Sequence, residues 1–242
     1  WEKEATGIIC DDELSPIQMK NMEQVLDSKV MDRTLLILDI FAARARTSEG
    51  KIQVELAQLK YRASRLAGFG RSMSRLGGGI GTRGPGEKKL EIDRRLIGHR
   101  TAQLNRELKE VVRHRELTRT QRMKSHTKVA AIVGYTNAGK STLLNTLTNA
   151  GVLEEDQLFA TLDPTTRMLE LSNHQNLMLT DTVGFIRKLP HHLVDAFKST
   201  LEEAKYADFI VHVVDASNPQ WDAQMHVVYM TLQDLGVTDK KI

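Results

Sequence analysis

Residues 134–141 read Gly-Tyr-Thr-Asn-Ala-Gly-Lys-Ser, and this octapeptide decides the fold of the segment around it. In the pattern Gly-x-x-x-x-Gly-Lys-Ser/Thr, glycines let the backbone curl so that successive N–H groups point at phosphate oxygens. The apolar run Val129–Val133 before it predicts a buried strand, and a helix is predicted from Lys140 to Asn149 after it. We therefore expect Lys140 to neutralise the β- and γ-phosphates of a nucleotide and Ser141 to bind Mg²⁺.

A second motif, Asp-Thr-Val-Gly at residues 181–184, follows an apolar stretch about forty residues later. It therefore stands at the end of a predicted strand, where Asp181 would hold the metal through water and the Gly184 N–H would contact the γ-phosphate. Asp-x-x-Gly alone is a weak signal because only two positions are fixed. Behind a phosphate-binding loop at this spacing, it predicts a P-loop GTPase.

The segment between the two motifs, residues 159–167, reads Phe-Ala-Thr-Leu-Asp-Pro-Thr-Thr-Arg. Its threonines at 161, 165 and 166 compete for one role, completion of the Mg²⁺ shell when the loop closes on the nucleotide. For Thr165 and Thr166 we favour ordinary turn and strand positions.

Phe185 stands where many GTPases carry a glutamine that orients the attacking water. Phenylalanine cannot do this, and it also suits a buried apolar position. We therefore hypothesise slow intrinsic hydrolysis, with the missing catalytic group supplied by a partner or by another loop.

The remaining candidate side chains carry weaker signals. Cys10 is the only cysteine, which excludes an internal disulfide and predicts a small buried apolar residue rather than a catalytic thiol. His191 and His192 are adjacent and point in different directions on a helix, which argues against a metal site. Arg187 and Lys188 are open to two interpretations, contact with a partner or simple solvation.

Strands and helices alternate through residues 128–242, which indicates a doubly wound α/β domain. A guanine-specific domain needs an Asn-Lys-x-Asp-type motif after its next strand, and these residues do not contain one. We expect the domain to be cut short before it, so base specificity does not follow from the residues. The other predicted elements are a β-hairpin (167–171 with 176–180), a buried strand (209–215) and helices at 193–206 and 220–235.

Residues 1–45 predict part of a small α/β domain. A strand at Thr6–Cys10, a helix from Pro16 to Leu26 behind the N-cap Ser15, and a strand at Lys29–Met31 make a β-α-β unit, followed by a buried helix at 34–46. We expect this to be the C-terminal part of a subdomain that begins upstream.

Residues 46–127 predict a long antiparallel helical hairpin. Two apolar series repeat with steps of four and three, which is heptad spacing, and two such helices joined by a loop bury each other's stripe. The series are Ile52, Leu56, Leu59, Ala63 and Leu66, then Ile97, Thr101, Leu104, Leu108 and Val111.

The predicted joining loop, residues 67–86, holds eight glycines, three arginines and no acidic residue. It would be either a flexible linker or an RNA-probing tip. We favour the tip, because arginine pairs with phosphates and stacks on bases while glycine allows close approach. Arg71, Arg75 and Arg83 are the predicted RNA-binding residues.

The charge is unevenly distributed along the 242 residues. Lys and Arg number 6 against 10 Asp and Glu in residues 1–50, 19 against 7 in residues 51–127, and 9 against 14 in residues 128–242. A basic middle segment is typical of an anionic polymer partner. No apolar run approaches the roughly 20 residues that span a bilayer, and residues 1–5 do not resemble a secretory signal, so we expect a cytoplasmic protein without stable membrane insertion.

In combination, these motifs resemble those of the HflX family of ribosome-associated GTPases. The resemblance is carried by DDELSPIQMKNME (11–23), DRTLLILDIFAARARTSEGKIQVELAQL (32–59), GGGIGTRGPGEKKLEIDRRL (77–96), GYTNAGKS (134–141), LFATLDPTTR (158–167) and DTVGFIRKLPHHLVDAFKSTLEE (181–203). It covers nearly the whole chain, and the motifs before residue 134 are not shared with GTPases in general.

The resemblance implies GTP rather than ATP as substrate, Mg²⁺ as cofactor, and Thr161 as the third metal ligand beside Ser141 and Asp181. Lys140, Thr161 and Gly184 are the predicted catalytic residues. The predicted nucleotide contacts are Gly134, Tyr135, Thr136, Asn137, Ala138, Gly139, Lys140, Ser141, Phe159, Ala160, Thr161, Leu162, Asp163, Asp181, Thr182, Val183 and Gly184.

The resemblance also implies a partner, the large ribosomal subunit. The hairpin loop would reach ribosomal RNA near the peptidyl transferase centre, and the GTP-bound protein, a monomer, would dissociate or rescue stalled ribosomes under stress. Two alternatives remain open: a large-subunit assembly GTPase, and an RNA-binding scaffold whose nucleotide site is structural.

Overall fold

A computed structural model describes residues 5–73, 85–123, 127–148, 159, 161–172, 175–188, 201–237 and 239–242. At 67–73, 85–88 and 118–123 the description is limited to the helical backbone. The helices are α1 (Pro16–Leu26), α2 (Arg33–Arg44), α3 (Ser48–Met73), α4 (Pro85–Met123), α5 (Lys140–Thr148) and α6 (Trp221–Asp234). The strands are β1 (Gly7–Cys10), β2 (Lys29–Asp32), β3 (Lys128–Gly134), β4 (Thr165–Glu170), β5 (Asn176–Asp181) and β6 (Phe209–Val213).

The N-terminal region forms the predicted β-α-β unit. β1 and β2 pair in parallel, and α1 connects them. Ser15 caps α1 in a reciprocal capping box with Gln18, and Pro16 occupies the first turn, where its missing N–H costs nothing. Asp32 then ends β2 and caps α2 by accepting a hydrogen bond from Leu35 N at 2.9 Å.

α3 and α4 pack on one another as the predicted hairpin, along the predicted seam. Ile52, Leu56 and Leu104 are buried between them, and Leu59, Leu108 and Val111 pack against this cluster. α3 also buries a second stripe, Val54, Ala57 and Tyr61, against α2 and the nucleotide-binding region. The heptad spacing predicts only the first stripe.

The predicted loop boundaries of 67 and 86 are wrong. α3 continues to Met73 through Gly68 and Gly70, and α4 begins at Pro85. Extending a formed helix adds one hydrogen bond per residue, which offsets the roughly 1 kcal/mol that each glycine costs. Proline is favoured in a first helical turn, so the Gly-Pro pair marks the start of α4. The central part of the predicted loop lies outside the described residues.

The C-terminal region is built on a four-stranded sheet of order β4-β5-β3-β6. β3 is parallel to both β5 and β6, and β4 is antiparallel to β5, as predicted for the hairpin. Alternate residues of β3 face opposite sides. Ala130 and Ile132 pack with Leu144 of α5, while Ala131 and Val133 face the other core. The strand is thus buried on both faces, which is the doubly wound arrangement.

One hydrophobic core is shared by the N-terminal region and the C-terminal region that contains the four-stranded sheet. It joins Ile37, Leu38 and Phe41 of α2 and the second stripe of α3 to Val133 of β3. Residues 201–206, which are helical, and α6 contribute to the same core through Leu201 and Val228. The elements around the phosphate-binding loop therefore share their packing with the base of the hairpin.

Candidate nucleotide and metal site

The loop between β3 and α5 has the curled backbone that the glycine pattern predicts. Asn137 and Gly139 adopt positive φ angles of 61° and 88°. The ammonium of Lys140, only 6% exposed, donates a hydrogen bond to the carbonyl oxygen of Tyr135 at 2.8 Å. The backbone therefore wraps around the lysine, whose charge lies at the centre of the loop, as a triphosphate-binding lysine requires.

The three predicted metal ligands meet at one point, although they come from three different segments. Ser141 Oγ is 2.6 Å from Asp181 Oδ2 and 2.8 Å from Thr161 Oγ1. Thr161 Oγ1 also donates to Asp181 Oδ2 at 3.0 Å. Thr165 and Thr166 instead lie in β4, where Thr166 Oγ1 is 2.9 Å from Thr180 Oγ1. Of the three competing threonines, Thr161 is therefore the one whose hydroxyl lies beside Ser141 and Asp181.

These residues fit Mg²⁺. Asp181 is fully buried, and its Oδ1 atom has no hydrogen-bond partner among the described residues. An orphaned buried carboxylate oxygen is costly unless a cation or water satisfies it. Two hydroxyls and one carboxylate supply the hard oxygen ligands that Mg²⁺ prefers, with the remaining positions left for waters and phosphate oxygens.

Burial shifts the pKa values of both charged residues of the site, Lys140 and Asp181. It lowers the pKa of Lys140 to about 8, and the negative charge of Asp181 offsets only part of this effect. Burial also raises the pKa of Asp181, against the opposing effects of the Ser141 hydrogen bond and the Lys140 charge. Such opposed perturbations are typical of a functional site that binds charged ligands.

The space around residue 184 admits only glycine. A Cβ atom there would lie 2.5 Å from Thr136 Cα and 3.0 Å from Lys140 Nζ, so no other residue fits without moving the phosphate-binding loop. The next residue, Phe185, accepts a hydrogen bond from Thr136 N at 2.7 Å and donates one to Gly134 O at 3.0 Å. Its side chain is 3% exposed and belongs to the core. We call residues 181–188 switch II. The two backbone hydrogen bonds and the buried side chain of Phe185 hold switch II against the phosphate-binding loop.

Comparison with known proteins places this site in a family. Three family sequence models match consecutive parts of the chain: "GTP-binding GTPase N-terminal" at 1–42, "GTP-binding GTPase Middle Region" at 44–122 and "50S ribosome-binding GTPase" at 129–241. A curated relative from Lacrimispora saccharolytica, named GTPase HflX, is 71% identical over 240 residues, which cover 99% of this chain and 57% of the relative. The chain belongs to the HflX GTPase family.

Other HflX relatives match over the same extent. The GTPase HflX of Escherichia coli is 49% identical over 231 residues, 96% of this chain and 54% of its own length. The chain therefore spans little more than half the length of the curated relatives it matches. A solved structure of SsGBP with GDP is 29% identical with a TM-score of 0.51, covering 99% of this chain and 64% of that one.

Several other residues that were predicted to contact the nucleotide have side chains engaged within the protein. Phe159, 2% exposed, Leu162 and Val183 are core residues, because their apolar side chains are buried with α2 and α3. Thr182 donates its hydroxyl hydrogen to Ile132 O at 2.7 Å. These side chains are therefore engaged within the protein, and the predicted nucleotide binding by these residues stays a prediction. Ala160 lies outside the described residues.

The side chain of Asp163 contacts the residues that precede α3. Its carboxylate accepts hydrogen bonds from Arg46 N at 2.8 Å and Thr47 N at 2.9 Å, immediately before α3. An acidic side chain is stabilised at a helix N-terminus and is repelled by phosphates. The side chain is therefore committed to the hairpin rather than to the nucleotide.

Contacts between switch II and the N-terminal region were not anticipated from the sequence. Lys188 forms an ion pair with Asp12 at 2.9 Å, and Arg33 donates to the carbonyl oxygen of Arg187 at 2.9 Å. These contacts within the chain are neither of the two interpretations left open for Arg187 and Lys188, which were contact with a partner and simple solvation. A second set of contacts joins distant segments: Arg115 of α4 forms ion pairs with Glu49 of α3 and with Glu202.

The structure describes only some of the other residues singled out in the sequence. Arg71 lies on the helical backbone of α3, whereas Arg75, Arg83, His191 and His192 lie outside the described residues. Cys10 is partly buried on β1. Within the described parts of the chain, no helix combines the length and apolar character needed to cross a bilayer.

Proposed function

We propose that this HflX-family chain binds GTP with Mg²⁺ at the Gly134–Ser141 loop and hydrolyses it. One observation carries the proposal: the hydroxyls of Ser141 and Thr161 meet at Asp181 Oδ2, while the buried Oδ1 atom of the same carboxylate has no partner among the described residues. A site of this kind needs a cation on one side and phosphate oxygens on the other.

Each side chain has a distinct part in this chemistry. Lys140 and the backbone N–H groups of the loop bind the phosphates, and the Gly184 N–H is offered to the γ-phosphate because no side chain intervenes. Ser141, Thr161 and Asp181 would hold Mg²⁺, which when bound neutralises charge on the phosphate oxygens.

Hydrolysis by the isolated protein would be slow, since the Phe185 side chain is buried in the core and cannot orient water. The catalytic group would then come from a partner or from another loop. Single-turnover GTP hydrolysis, measured with and without ribosomes, tests this. Equal rates would refute the idea of a supplied group.

We further propose that the partner is the large ribosomal subunit and that the hairpin contacts its RNA. The family description "50S ribosome-binding GTPase" for residues 129–241 supports the subunit. Residues 51–127 contain 19 Lys and Arg against 7 Asp and Glu, and this positive charge supports contact with RNA. On α4, Arg95, Arg106 and Arg113 are exposed and, with 100° per residue, project from one face of the helix.

In this proposal GTP binding favours docking of the hairpin, with its tip near the peptidyl transferase centre, and hydrolysis releases it. The consequence would be dissociation or rescue of stalled ribosomes in the cytoplasm. Thr161 and Gly184, which lie on the segments that contact the γ-phosphate side, would make docking depend on the nucleotide.

Co-sedimentation with purified large subunits tests the proposal, using the protein as its gene encodes it. We expect pelleting with a non-hydrolysable GTP analogue, and much less with GDP or an ATP analogue. Lys140→Ala should lose this dependence and fail to dissociate ribosomes. Unchanged ribosome release by Lys140→Ala would instead favour an RNA-binding scaffold with a structural nucleotide site. Preference for precursor particles over mature subunits would favour an assembly GTPase.

A further inference from the structure

Thr161 lies between two residues that are anchored to the N-terminal region and the hairpin. We call the segment 159–167 switch I. Two residues before Thr161, the ring of Phe159 packs edge-on against Phe41 of α2, with 4.9 Å between ring centroids. Two residues after it, Asp163 accepts hydrogen bonds at the joint between α2 and α3. The backbone that carries the metal-side threonine is therefore anchored on both sides.

The contact at Asp163 is built from several groups. Its Oδ2 atom accepts from the Arg46 and Thr47 N–H groups, while its Oδ1 atom accepts from the Thr47 hydroxyl at 2.5 Å. The Thr47 oxygen in turn accepts from Gly50 N at 3.0 Å and so caps α3. The carboxylate thus takes up N–H groups at the beginning of a helix, where a negative charge is stabilised by the helix dipole.

Gly50 provides the space for this contact. A Cβ atom at residue 50 would lie 2.3 Å from Asp163 Oδ1 and 3.2 Å from Thr47 Oγ1. A larger residue in the first turn of α3 would therefore displace the carboxylate. The fit of a helix residue around a switch I side chain more than a hundred positions away indicates a built contact between the two segments.

We propose that Asp163 is a positioning residue: by binding the N-terminus of α3, it holds Thr161 at the metal site and joins the nucleotide state to the base of the hairpin. This rests on the proposed function, since it assumes that Thr161 meets Mg²⁺ when GTP is bound. Only one residue, Leu162, separates Thr161 from Asp163, so displacing Asp163 displaces the backbone of Thr161. Coupling of this kind is reciprocal: what strengthens one contact strengthens the other.

The contact predicts a difference between nucleotides. Switch segments are ordered through γ-phosphate and Mg²⁺ contacts and are released on hydrolysis. Loss of the Asp163 contact should therefore weaken binding of Mg²⁺ with a GTP analogue and leave GDP binding unchanged. A merely structural role would weaken both nucleotides alike.

Gly50→Ala is the sharpest test because it changes the hairpin and no group of the nucleotide site. Gly98→Ala in α4 is its matched control, since it makes the same substitution in the other helix of the hairpin and a Cβ there meets no atom within 4 Å. Asp163→Ala removes the carboxylate, and Asp163→Asn keeps an acceptor for the N–H groups and should rescue much of the contact.

The measurement is equilibrium binding of fluorescent GDP and a fluorescent non-hydrolysable GTP analogue across a Mg²⁺ titration. For Gly50→Ala and Asp163→Ala we expect affinity for the GTP analogue to fall about fivefold or more, the lower end of coupling between sites, with GDP affinity unchanged. Gly98→Ala should match the wild type. Amide hydrogen exchange at residues 46 and 47 should be slower with the GTP analogue than with GDP, and Gly50→Ala should remove that difference.

An unchanged affinity ratio in Gly50→Ala and Asp163→Ala, with wild-type exchange at residues 46 and 47, would overturn the inference and leave the proposed function standing. Equal weakening of both nucleotides in Gly50→Ala would also overturn it. Failure of the wild-type protein to bind the GTP analogue would overturn the proposed function as well. If Asp163→Ala does not fold, the Gly50→Ala and Gly98→Ala pair decides the matter.

Discussion

Phe159 of switch I packs edge-on against Phe41 of α2, with both rings almost completely buried and 4.9 Å between their centroids. Aromatic pairs in this geometry gain about 0.5–1.5 kcal/mol beyond the area they bury. The pair joins a helix of the N-terminal region to the segment that carries the metal-side threonine. The nucleotide site therefore draws part of its support from outside the phosphate-binding domain.

Truncating this pair should destabilise the whole molecule. Phe41→Ala is expected to lower the free energy of unfolding by about 3–5 kcal/mol, because it leaves a cavity in a core shared by both regions. Val25→Ala in α1, where the valine is 82% exposed, is the control and should change it by less than about 0.5 kcal/mol. Urea unfolding measures both, and similar midpoints for the two variants would contradict the shared core.

A second prediction concerns Asp32, which is fully buried. Its carboxylate accepts hydrogen bonds from Leu14 N at 3.2 Å, Leu35 N at 2.9 Å, Tyr61 Oη at 2.9 Å and Arg65 Nη2 at 2.5 Å. Asp32→Ala should cost about 3–5 kcal/mol, since it leaves a mostly buried guanidinium without its carboxylate partner. Asp32→Asn keeps acceptor capacity and should cost less, so an equal loss in urea unfolding would count against the charge pair.

Mutations of Lys140 and Ser141 should distinguish contacts to the phosphates from contacts to the metal. Lys140→Ala is expected to weaken GDP and GTP binding about 10- to 100-fold, the loss for one or two hydrogen bonds to a charged group. Ser141→Ala should weaken nucleotide binding mainly when Mg²⁺ is present. Thr146→Ala on the exposed side of α5 is the hydroxyl control. Calorimetry with and without chelator reads out all three, and a Mg²⁺-independent loss in Ser141→Ala would argue against metal binding there.

Asp208 should give a pH-dependent contribution to stability. Its ion pair with Lys128 at 2.7 Å, helped by the Val129 N–H, holds the pKa of the carboxyl below its ordinary value against an opposing effect of burial. Because the folded pKa is the lower one, the contribution is complete above the ordinary pKa of about 4 and is lost as pH falls through the folded value. Asp208→Asn should therefore cost more at pH 7 than at pH 3 in urea unfolding, and a larger cost in acid would contradict this assignment.

The hairpin tip can be tested without disturbing the helices. Replacing residues 74–84 by a short Gly-Ser linker leaves α3 and α4 at their observed ends, Met73 and Pro85. We expect nucleotide binding to be unchanged and ribosome dissociation to be lost. Arg75→Ala with Arg83→Ala should reproduce part of the loss if charge is the cause. Normal dissociation by the linker variant would show that the segment only joins the helices.

The local elements could be predicted because their causes are local. The glycines of 134–141, the capping pattern at Ser15 and the heptad series of α3 each act within a few residues, and all three features are found in the structure. Thr161, assigned from the family resemblance, also lies with Ser141 and Asp181.

The relationships between distant segments could not be predicted in the same way. Asp163 looks like any acidic residue of a nucleotide-binding loop, and only the fold brings it to Thr47, 116 positions away. The second stripe of α3 carried a usable signal, since Val54, Ala57 and Tyr61 repeat with steps of three and four. Its partner surface, however, is assembled from α2 and the sheet and cannot be read from α3 alone.

α3 begins beside Asp163 and runs 26 residues to Met73, which at 1.5 Å per residue places its far end about 39 Å from the switch. Under the coupling proposed for Asp163, this helix would act as a lever with its pivot at Thr47. A tilt of about 5° at the pivot would swing the far end by roughly 3 Å, close to the spacing of hydrogen-bonded atoms. A sub-ångström change beside a γ-phosphate would then decide whether the far end touches a distant surface or misses it.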